Sequence, residues 1–363
     1  MRSTFPKYFL PAILLMACFI TAKAQDRYLH LKGNIDNEEA VTADFVIFGS
    51  KITGTVQNHF SAGAPVFLHG VISPEGLLEL RDKTSDKIVI SGSLSESEVL
   101  FGKWHHDDEE SPFEMSPQLP EGSRPFDVIA VSSIQPLTAQ PGSPLASYES
   151  TFLSLPGNKY GILRDQLTGL VFRELFRSEP AGEPVAMLKN NESAFFSQYQ
   201  TSNAGIDIED NYRFLNWEKS RLLTVVYNGN NVISLYMRDY AYTGGDSGLE
   251  MGRFLVFDAL EGKKVSFTDI FMPEASASLA ALLRNAVCSK TGIDPTADLT
   301  GYGYFSNEIP APQHFALTAY GILCHYNIYE IAGPETGAIN IFLPYRQLQP
   351  LLNPLHPVLA RLK

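Results

Sequence analysis

Cysteine is scarce in this sequence, with three in 363 residues. None forms a C-x-x-C pair or stands at a cysteine–histidine metal spacing, which argues against a cysteine-based zinc site. Cys288 and Cys324 each lie among apolar residues, in NAVCSK and GILCHY. In an oxidising compartment these two could form a disulfide. The alternative is a pair of buried free thiols, and the sequence leaves both open.

Basic residues are also few. The chain has 28 Lys and Arg against 40 Asp and Glu, a net charge of −12. Nucleic-acid binding needs a basic surface, so the composition disfavours that class of function. An acidic surface favours a cationic partner instead. The plainer interpretation is that the charge only keeps the protein soluble.

Only the N-terminus contains a long apolar run. Arg2 and Lys7 precede the uncharged YFLPAILLMACFI, and TAKAQ follows it, which is the layout of a secretory signal peptide. We predict cleavage after Ala24, so that residues 1–24 are removed and a periplasmic or extracellular chain of net charge about −15 begins at Gln25. The alternative is a lipoprotein anchored through Cys18, because LMAC resembles a lipoprotein box. No other segment is long and apolar enough to span a membrane.

Residues 25–115 are predicted to be rich in β-strand. Short runs such as ADFVIFG and KIVISGSL alternate apolar and polar residues, as half-buried strands do. Glycine recurs late in several runs, which indicates the bulges and sharp coiling of a small barrel. We predict an antiparallel β-meander or small barrel of about seven strands. The glycines in question are Gly33, Gly54, Gly70, Gly92 and Gly102.

The remainder of the chain has a different pattern. Residues 116–145 are rich in proline and predict a linker or a wrapping loop. Within 146–363, residues 158–177 and 276–292 place apolar side chains at helical intervals, and Gly292 is suited to end the second helix. Several other segments alternate as paired strands. The predicted class is α+β, in which a mixed domain with an antiparallel sheet and helices on one face follows the β-rich module.

Residues 210–353 resemble a known family. The likeness is carried by LYMRDYAYTGGDSGLEMGRFLVF, by FDALEGKKVSFTDIF and by the course from FALTAYGILCHY to INIFLPYRQLQPLL. These segments are similar to the extracytoplasmic domain of unknown function in RsiV-type anti-sigma factors and PdaC-type peptidoglycan deacetylases. The first half resembles a β-rich module of secreted Bacteroidetes-type proteins, through short motifs such as Lys32–Ile35 and Phe101–Trp104.

The resemblance implies a binding function. In the anti-sigma factors the family domain binds lysozyme outside the cell, and in the deacetylases a separate domain carries the catalysis. One departure affects the loop of this family, which often reads Thr-Gly-Gly-Ala-His-Gly. This chain has Asp246 and Ser247 in place of Ala-His, so any role of that histidine does not transfer.

Two segments rich in tyrosine and glycine are the predicted binding site. Tyrosine suits the recognition of proteins or sugars, because its ring buries area while its hydroxyl remains hydrogen-bonded. The alternative is that these tyrosines pack one sheet face against a helix. The predicted binding residues are Tyr240, Tyr242, Gly244, Gly245, Asp246, Ser247, Tyr326, Tyr329 and Glu330.

The sequence contains no recognisable catalytic set. Gly245-Asp246-Ser247-Gly248 lacks the G-x-S-x-G spacing of a nucleophile elbow, and the histidines are scattered. The densest cluster of possible metal ligands is HHDDEE at residues 105–110, which we interpret as a solvated charge run. We therefore expect no catalytic residue, no metal and no cofactor.

The expected function is that of an exported, non-enzymatic binding protein of the cell envelope. The expected partner is a lysozyme-like protein or peptidoglycan glycan. One alternative is an envelope hydrolase or deacetylase acting on peptidoglycan. Another is an accessory structural module.

Overall fold

The computed structural model describes residues 26–58 and 61–362. The predicted cleavage site after Ala24 and the alternative anchor at Cys18 lie outside this range. In the described residues no helix is long and apolar enough to cross a membrane. An antiparallel barrel is followed by a mixed region of sheets and helices, which confirms the predicted fold class.

The first part of the molecule is a closed barrel of eight antiparallel strands. The barrel closes because β1 pairs with β8 as well as with β2. Inward-facing apolar side chains fill it, among them Leu31, Leu80 and Trp104. The strands are β1 (Arg27–Ile35), β2 (Glu39–Phe48), β3 (Lys51–Gln57), β4 (Val66–Ile72), β5 (Leu77–Asp82), β6 (Ile88–Leu94), β7 (Leu100–His106) and β8 (Glu109–Pro117).

Glycine permits the closest approaches between these strands. At each of the five predicted positions an added Cβ would lie 1.8–2.2 Å from a backbone carbonyl oxygen of the neighbouring strand. Such a contact is far inside van der Waals distance, and backbone cannot move aside as a flexible side chain can. The recurring glycines therefore belong to the coiling of the barrel, as the sequence predicts. They are Gly33, Gly54, Gly70, Gly92 and Gly102.

The barrel has one strand more than the predicted seven. Residues 105–110, interpreted as a charge run on a loop, form the hairpin between β7 and β8, with Asp107 in its turn at φ 51°. Lys103 Nζ donates to Glu110 Oε2 at 2.5 Å, and His105 Nε2 lies 2.8 Å from the Ser91 hydroxyl. These side chains therefore have protein partners of their own. Across the described ranges, no three His, Cys, Asp or Glu side chains are grouped so that they could hold a metal ion.

The proline-rich segment 116–145, predicted to be a linker, contains a strand. Strand β9 (Asp127–Pro136) pairs with β10 (Leu145–Ser154) over the full length of both. It is an edge strand, and none of its residues is fully buried. Its side chains therefore carry a weak apolar signal, which explains why composition alone predicts a linker here.

The second part is built on a six-stranded sheet in the order β14-β13-β12-β11-β10-β9. Its neighbouring strands are antiparallel except for β10 and β11, which run parallel. Parallel neighbours require a crossover, and residues 157–215 supply it as a helical layer on one face. The elements are β11 (Trp217–Gly229), β12 (Val232–Tyr242), β13 (Leu249–Asp258), β14 (Lys263–Lys264), α1 (Gly157–Leu170), a π-helical turn (Val171–Phe176), α2 (Pro184–Ser202) and α3 (Ile208–Asn211).

A three-stranded antiparallel sheet and helix α4 form the C-terminal layer. Gly292 ends α4 in the left-handed conformation at φ 70°, as the sequence predicts. Cys288 and Cys324 are free and buried in the core of this layer, and no bridge joins them. The elements are α4 (Ser276–Thr291), β15 (His314–Leu317), β16 (Gly321–Tyr326), β17 (Ile339–Pro344), α5 (Tyr345–Leu348) and α6 (Pro357–Leu362).

Opposite faces of the six-stranded sheet meet different partners. The helical layer packs on one face through a core that includes Phe152, Phe172 and Leu223. The barrel and the C-terminal layer cover the other. At a bulge in β11 the barrel is fixed by two buried hydrogen bonds, from Thr55 Oγ1 to the carbonyl of Val225 at 3.1 Å and from Gln57 Nε2 to the carbonyl of Val226 at 3.0 Å.

Candidate functional site

A cleft of about 520 Å³ lies between the outer wall of the barrel and the six-stranded sheet. Strands β3 and β4 supply one wall, and β10 to β13 supply the other. The barrel wall presents polar groups beside Phe67, and the sheet wall presents polar groups beside Leu222. The polar residues are Lys51, Thr53, His69, Lys83, Glu149, Glu218, Ser220, Thr224, Tyr236, Arg238 and Glu250.

Strand alternation explains which side chains reach this cleft. In β11 the even-numbered residues Ser220, Leu222 and Thr224 face the barrel, and their neighbours face the helices. Leu222 stands opposite Arg238 of β12, and Thr224 stands opposite Tyr236. Directly opposed residues on antiparallel strands have their side chains on the same face, so the two strands present a continuous row to the cleft.

Glu250 lies between two cations on one side of the cleft. Lys83 Nζ, from the barrel, donates to Glu250 Oε1 and lies 3.1 Å from the Tyr236 hydroxyl. Arg238 Nε donates to Glu250 Oε2 at 2.6 Å. Burial alone would raise the pKa of Glu250, but Lys83 and Arg238 outweigh it and hold that pKa below its usual value. Glu250 is therefore a carboxylate at neutral pH, suited to accept hydrogen bonds and not to donate a proton.

Two other carboxylates line the same cleft. Glu149 accepts from Lys51 Nζ at 2.6 Å, which forms a second ion pair between the sheet and the barrel. Glu218 is exposed and has no ion pair among the described residues. The cleft thus offers a carboxylate without a charged partner beside two paired ones. A ligand that carries hydroxyl and amide groups can form hydrogen bonds to this lining.

The predicted glycine-rich segment forms the turn between β12 and β13. Gly244 and Gly245 have φ of 89° and 110°, a region that a Cβ strongly disfavours. The Tyr242 hydroxyl donates to the carbonyl of Gly245 at 3.0 Å, which fixes the turn. Asp246 and Ser247 are exposed at its tip. No hydrogen bond joins Ser247 to a histidine within the described residues, so the turn does not assemble a serine nucleophile with a base.

The remaining predicted binding residues occupy three different environments. Tyr240 is half-buried, and the Arg238 guanidinium lies 5.1 Å from the centre of its ring. Tyr326 is completely buried, and its hydroxyl donates to the carbonyl of Pro310 at 2.6 Å. The prediction that Tyr326 contacts a ligand is therefore wrong, because it belongs to the core of the C-terminal layer.

The loop after Tyr326 is mainly structural. Glu330 Oε2 accepts from the Asn327 backbone N–H at 2.8 Å, which closes a tight turn. Tyr329 in that turn is 62% exposed and has φ of 63°. Within the described residues, no hydrogen bond, ion pair or ring contact joins this loop to the β12–β13 turn. The structure does not bring the two predicted segments together as one site.

Acidic residues that are close in sequence separate onto different faces. Glu250 faces the cleft, whereas Asp239 faces the helical layer and pairs with three cations there. Asp258 is buried, and Arg361 Nη2 lies 2.7 Å from its Oδ1. These acids therefore do not share one cleft. The sequence gives no indication that Lys51 and Lys83 of the barrel would face Glu149 and Glu250.

Comparison with known proteins identifies a domain but not an activity. Residues 268–346 match a family model described as a protein of unknown function, DUF3298. This match lies within residues 210–353. No curated protein matches this chain.

Two solved structures are similar to part of this chain. One is a member of the DUF3298 family from Bacteroides fragilis NCTC 9343, with a TM-score of 0.58 and 21% identity over 66% of this chain and 96% of that one. The other is a DUF3298 family protein from Pseudomonas aeruginosa PAO1, with a TM-score of 0.45 and 19% identity over 64% of this chain and 97% of that one. At this identity the first likeness concerns the fold alone.

Proposed function

We propose that the chain is an exported, non-enzymatic binding protein of the cell envelope, and that the barrel–sheet cleft recognises peptidoglycan glycan. The observation that carries the proposal is the cleft lining. The lining combines ion-paired carboxylates and cations with small hydroxyl side chains and with apolar residues such as Leu222 and Phe67. The export step rests on the signal peptide predicted for residues 1–24. The RsiV- and PdaC-type resemblance supports a role at the envelope.

The cleft suits a short glycan in size and chemistry. A volume of about 520 Å³ falls within the range of small-ligand sites. Peptidoglycan sugars present hydroxyl and N-acetyl groups, which match carboxylate acceptors such as Glu218 and hydroxyl groups such as Thr224. The muramic acid side chain and its peptide add a carboxylate or amide, for which the half-exposed Lys51 ammonium is a partner. Leu222 and Phe67 can pack against the apolar faces of the sugar rings.

The ionisation of Glu250 disfavours one mechanism of glycoside hydrolysis. Glycoside hydrolysis requires a carboxylic acid whose pKa is raised, so that it can protonate the leaving oxygen. Lys83 and Arg238 have the opposite effect on Glu250, because they lower its pKa. An envelope hydrolase that uses Glu250 as its acid is therefore disfavoured.

Calorimetry with a soluble disaccharide–peptide of peptidoglycan tests this proposal. Glu218→Gln removes the unpaired carboxylate and is expected to weaken binding about tenfold, since a hydrogen bond to a charged group is lost. Glu209→Gln on α3 is the matched control, because Glu209 is exposed and lies outside the cleft. Its affinity should stay within about twofold of the wild type. A wild type that releases no heat at millimolar ligand contradicts the proposal, and release of cleaved product contradicts its non-enzymatic part.

A second candidate partner is a lysozyme-like protein. The net charge of about −15 on the chain after cleavage favours a basic partner. The exposed Asp246 and Ser247 lie at the point of greatest family resemblance, and that family implies lysozyme binding. Here the partner would contact the β12–β13 turn, and the cleft would not be its main site.

The second candidate predicts that the affinity for lysozyme falls about tenfold or more between 0.01 M and 0.15 M salt. Over this interval the screening length falls from about 30 Å to about 8 Å, so attraction between exposed charges weakens. Calorimetry at the two salt concentrations measures the change. Cytochrome c is the control for general attraction to a basic protein. Absence of heat with lysozyme at low salt, or equal binding of cytochrome c, rules the candidate out.

A further inference from the structure

A second pocket, of about 320 Å³, lies on the opposite face of the six-stranded sheet. It is bounded by α2 on one side and by β10, β11 and the end of β12 on the other. Tyr148, Asn191, Phe195, Lys219 and Arg221 are among its lining residues. Because the helical layer and the barrel cover different faces of the sheet, this pocket is separate from the proposed glycan cleft.

The charge beside this pocket is positive, although the protein as a whole is acidic. Asp239 is the centre of a cluster with three cations. Its Oδ1 accepts from Lys219 Nζ at 2.5 Å and from Arg221 Nε at 3.3 Å, and its Oδ2 accepts from Arg253 Nη1 at 2.7 Å. One carboxylate therefore faces three cations, which leaves two positive charges in excess. Lys219 and Arg221 both reach the pocket surface.

The single negative charge of Asp239 does not balance the three cations. Burial, together with the neighbouring Arg221 and Arg253, lowers the pKa of Lys219 despite its contact with Asp239. The Arg221 guanidinium lies 5.7 Å from the centre of the Phe176 ring. Its terminal nitrogens have no hydrogen bond among the described contacts. A bound anion would offset the remaining repulsion between the cations.

Two buried hydrogen-bond donors in the same pocket lack a well-aligned partner. The Tyr148 side chain is almost completely buried, at 2% exposure, and its hydroxyl forms no hydrogen bond of normal geometry. Burial raises the pKa of Tyr148, and the nearby Arg221 and the Ser150 hydroxyl offset this only in part, so the phenol keeps its proton. The Asn191 Nδ2 amide is also buried without a partner. An unpartnered buried donor is costly, and a ligand acceptor would remove that cost.

The apolar stripe of helix α2 is interrupted by a polar residue where the helix borders this pocket. Its buried stripe includes Met187, Leu188, Phe195 and Tyr199. Asn191 stands one turn from both Met187 and Phe195, at a position where helical periodicity would place an apolar residue. Asn191 therefore presents a polar amide to the pocket, where an apolar side chain would pack against the sheet and close the space.

We infer that this pocket binds the carboxylate of a small organic acid or of a peptide C-terminus. Lys219 and Arg221 neutralise the carboxylate, while the Tyr148 hydroxyl and the Asn191 amide donate to its oxygens. Phe195 and Ala194 provide an apolar wall for a short side chain. The nearby Glu192 carboxylate, which accepts from the Ser133 hydroxyl, disfavours ligands with a second negative charge.

Calorimetry at low ionic strength on the whole chain tests this inference. The probes are acetate, N-acetyl-alanyl-alanine with a free C-terminus, and the same peptide with a C-terminal amide. The free acid is expected to bind at least about tenfold more tightly than the amide, because only the acid can pair with the two cations. Acetate that binds as tightly as the peptide acid identifies a free acid as the ligand. Tighter binding of the peptide acid identifies a C-terminus.

Two variants locate the binding. Tyr148→Phe and Asn191→Ala should each weaken the peptide acid about fivefold to tenfold. Tyr199→Phe is the matched control, because the Tyr199 hydroxyl is also buried without a partner but does not line the pocket. It should leave the affinity unchanged. Equal binding of acid and amide, no binding at millimolar concentration, or equal effects of Tyr148→Phe and Tyr199→Phe would overturn the inference.

Discussion

Replacing Asp239 with asparagine is expected to reduce the free energy of unfolding by about 3 kcal/mol at neutral pH. Asp239 is only 6% exposed, and its carboxylate is the shared partner of Lys219, Arg221 and Arg253. Without it, three partly buried cations lie together with no compensating charge. Loss of one member of a buried charge cluster is costly for this reason, and urea denaturation measures the difference.

The effect should also depend on pH. Burial opposes the ionisation of Asp239, but Arg221, Lys219 and Arg253 outweigh it and lower its pKa in the folded protein. A group whose folded pKa is depressed contributes stability that is present above its unfolded pKa, near 3.9, and is lost as the pH falls through its folded pKa. The difference between wild type and Asp239→Asn should therefore be constant from about pH 7 to about pH 5 and shrink below about pH 4.

The exposed Asp246 provides the control for this prediction. It makes no ion pair within the described residues, so Asp246→Asn should leave stability unchanged. If Asp239→Asn were as harmless as Asp246→Asn, or if its effect persisted undiminished at pH 3, Asp239 would not be the charge centre that its contacts indicate.

Replacing Gly33 with alanine is expected to destabilise the barrel by at least about 3 kcal/mol. Gly33 lies opposite Met115 in the β1–β8 pairing, which is the pairing that closes the barrel. A Cβ at this position would lie 1.8 Å from the carbonyl oxygen of Glu114 and 2.7 Å from the Met115 Cα. Both are backbone atoms of a paired strand, so relief requires the two strands to separate.

Fluorescence can report this change from the barrel alone. The chain has two tryptophans, of which Trp104 lies in the barrel core and Trp217 beside the helical layer. In a Trp217→Phe background, Gly33→Ala should lower the urea midpoint of the Trp104 signal. Gly161→Ala is the control, because a Cβ at this helical glycine meets no atom within 4 Å. Equal midpoints for the two variants would show that closure does not depend on Gly33.

Much of the fold can be predicted from local sequence patterns, and the exceptions have physical reasons. Alternation of apolar and polar residues and recurring glycines indicate a barrel, because only glycine fits where two strands approach closely. Strand β9 has no comparable sequence pattern, since it is an edge strand without a fully buried residue. Helix α2 is hard to recognise because Asn191 interrupts its apolar stripe.

The candidate sites are less predictable because they join distant parts of the chain. Lys83 and Glu250 are separated by 167 positions, and no local pattern announces their contact. The sequence shows that Tyr236 and Tyr240 lie on the same face of a strand. It does not show that the barrel lies against that face. The burial of Tyr326 is also not predictable from the sequence. An aromatic residue near glycines has the same neighbours in the sequence whether its side chain is buried or exposed.

We propose that a peptidoglycan fragment occupies the cleft between the barrel and the sheet. Methyl-resolved NMR during titration with the soluble disaccharide–peptide tests it most directly. The methyl signals of Val71, Leu222 and Thr224, which line the cleft, are predicted to shift, while Val185 on α2 should not. Shifts confined to the β12–β13 turn at residues 243–248, or no shifts at all, would contradict the claim.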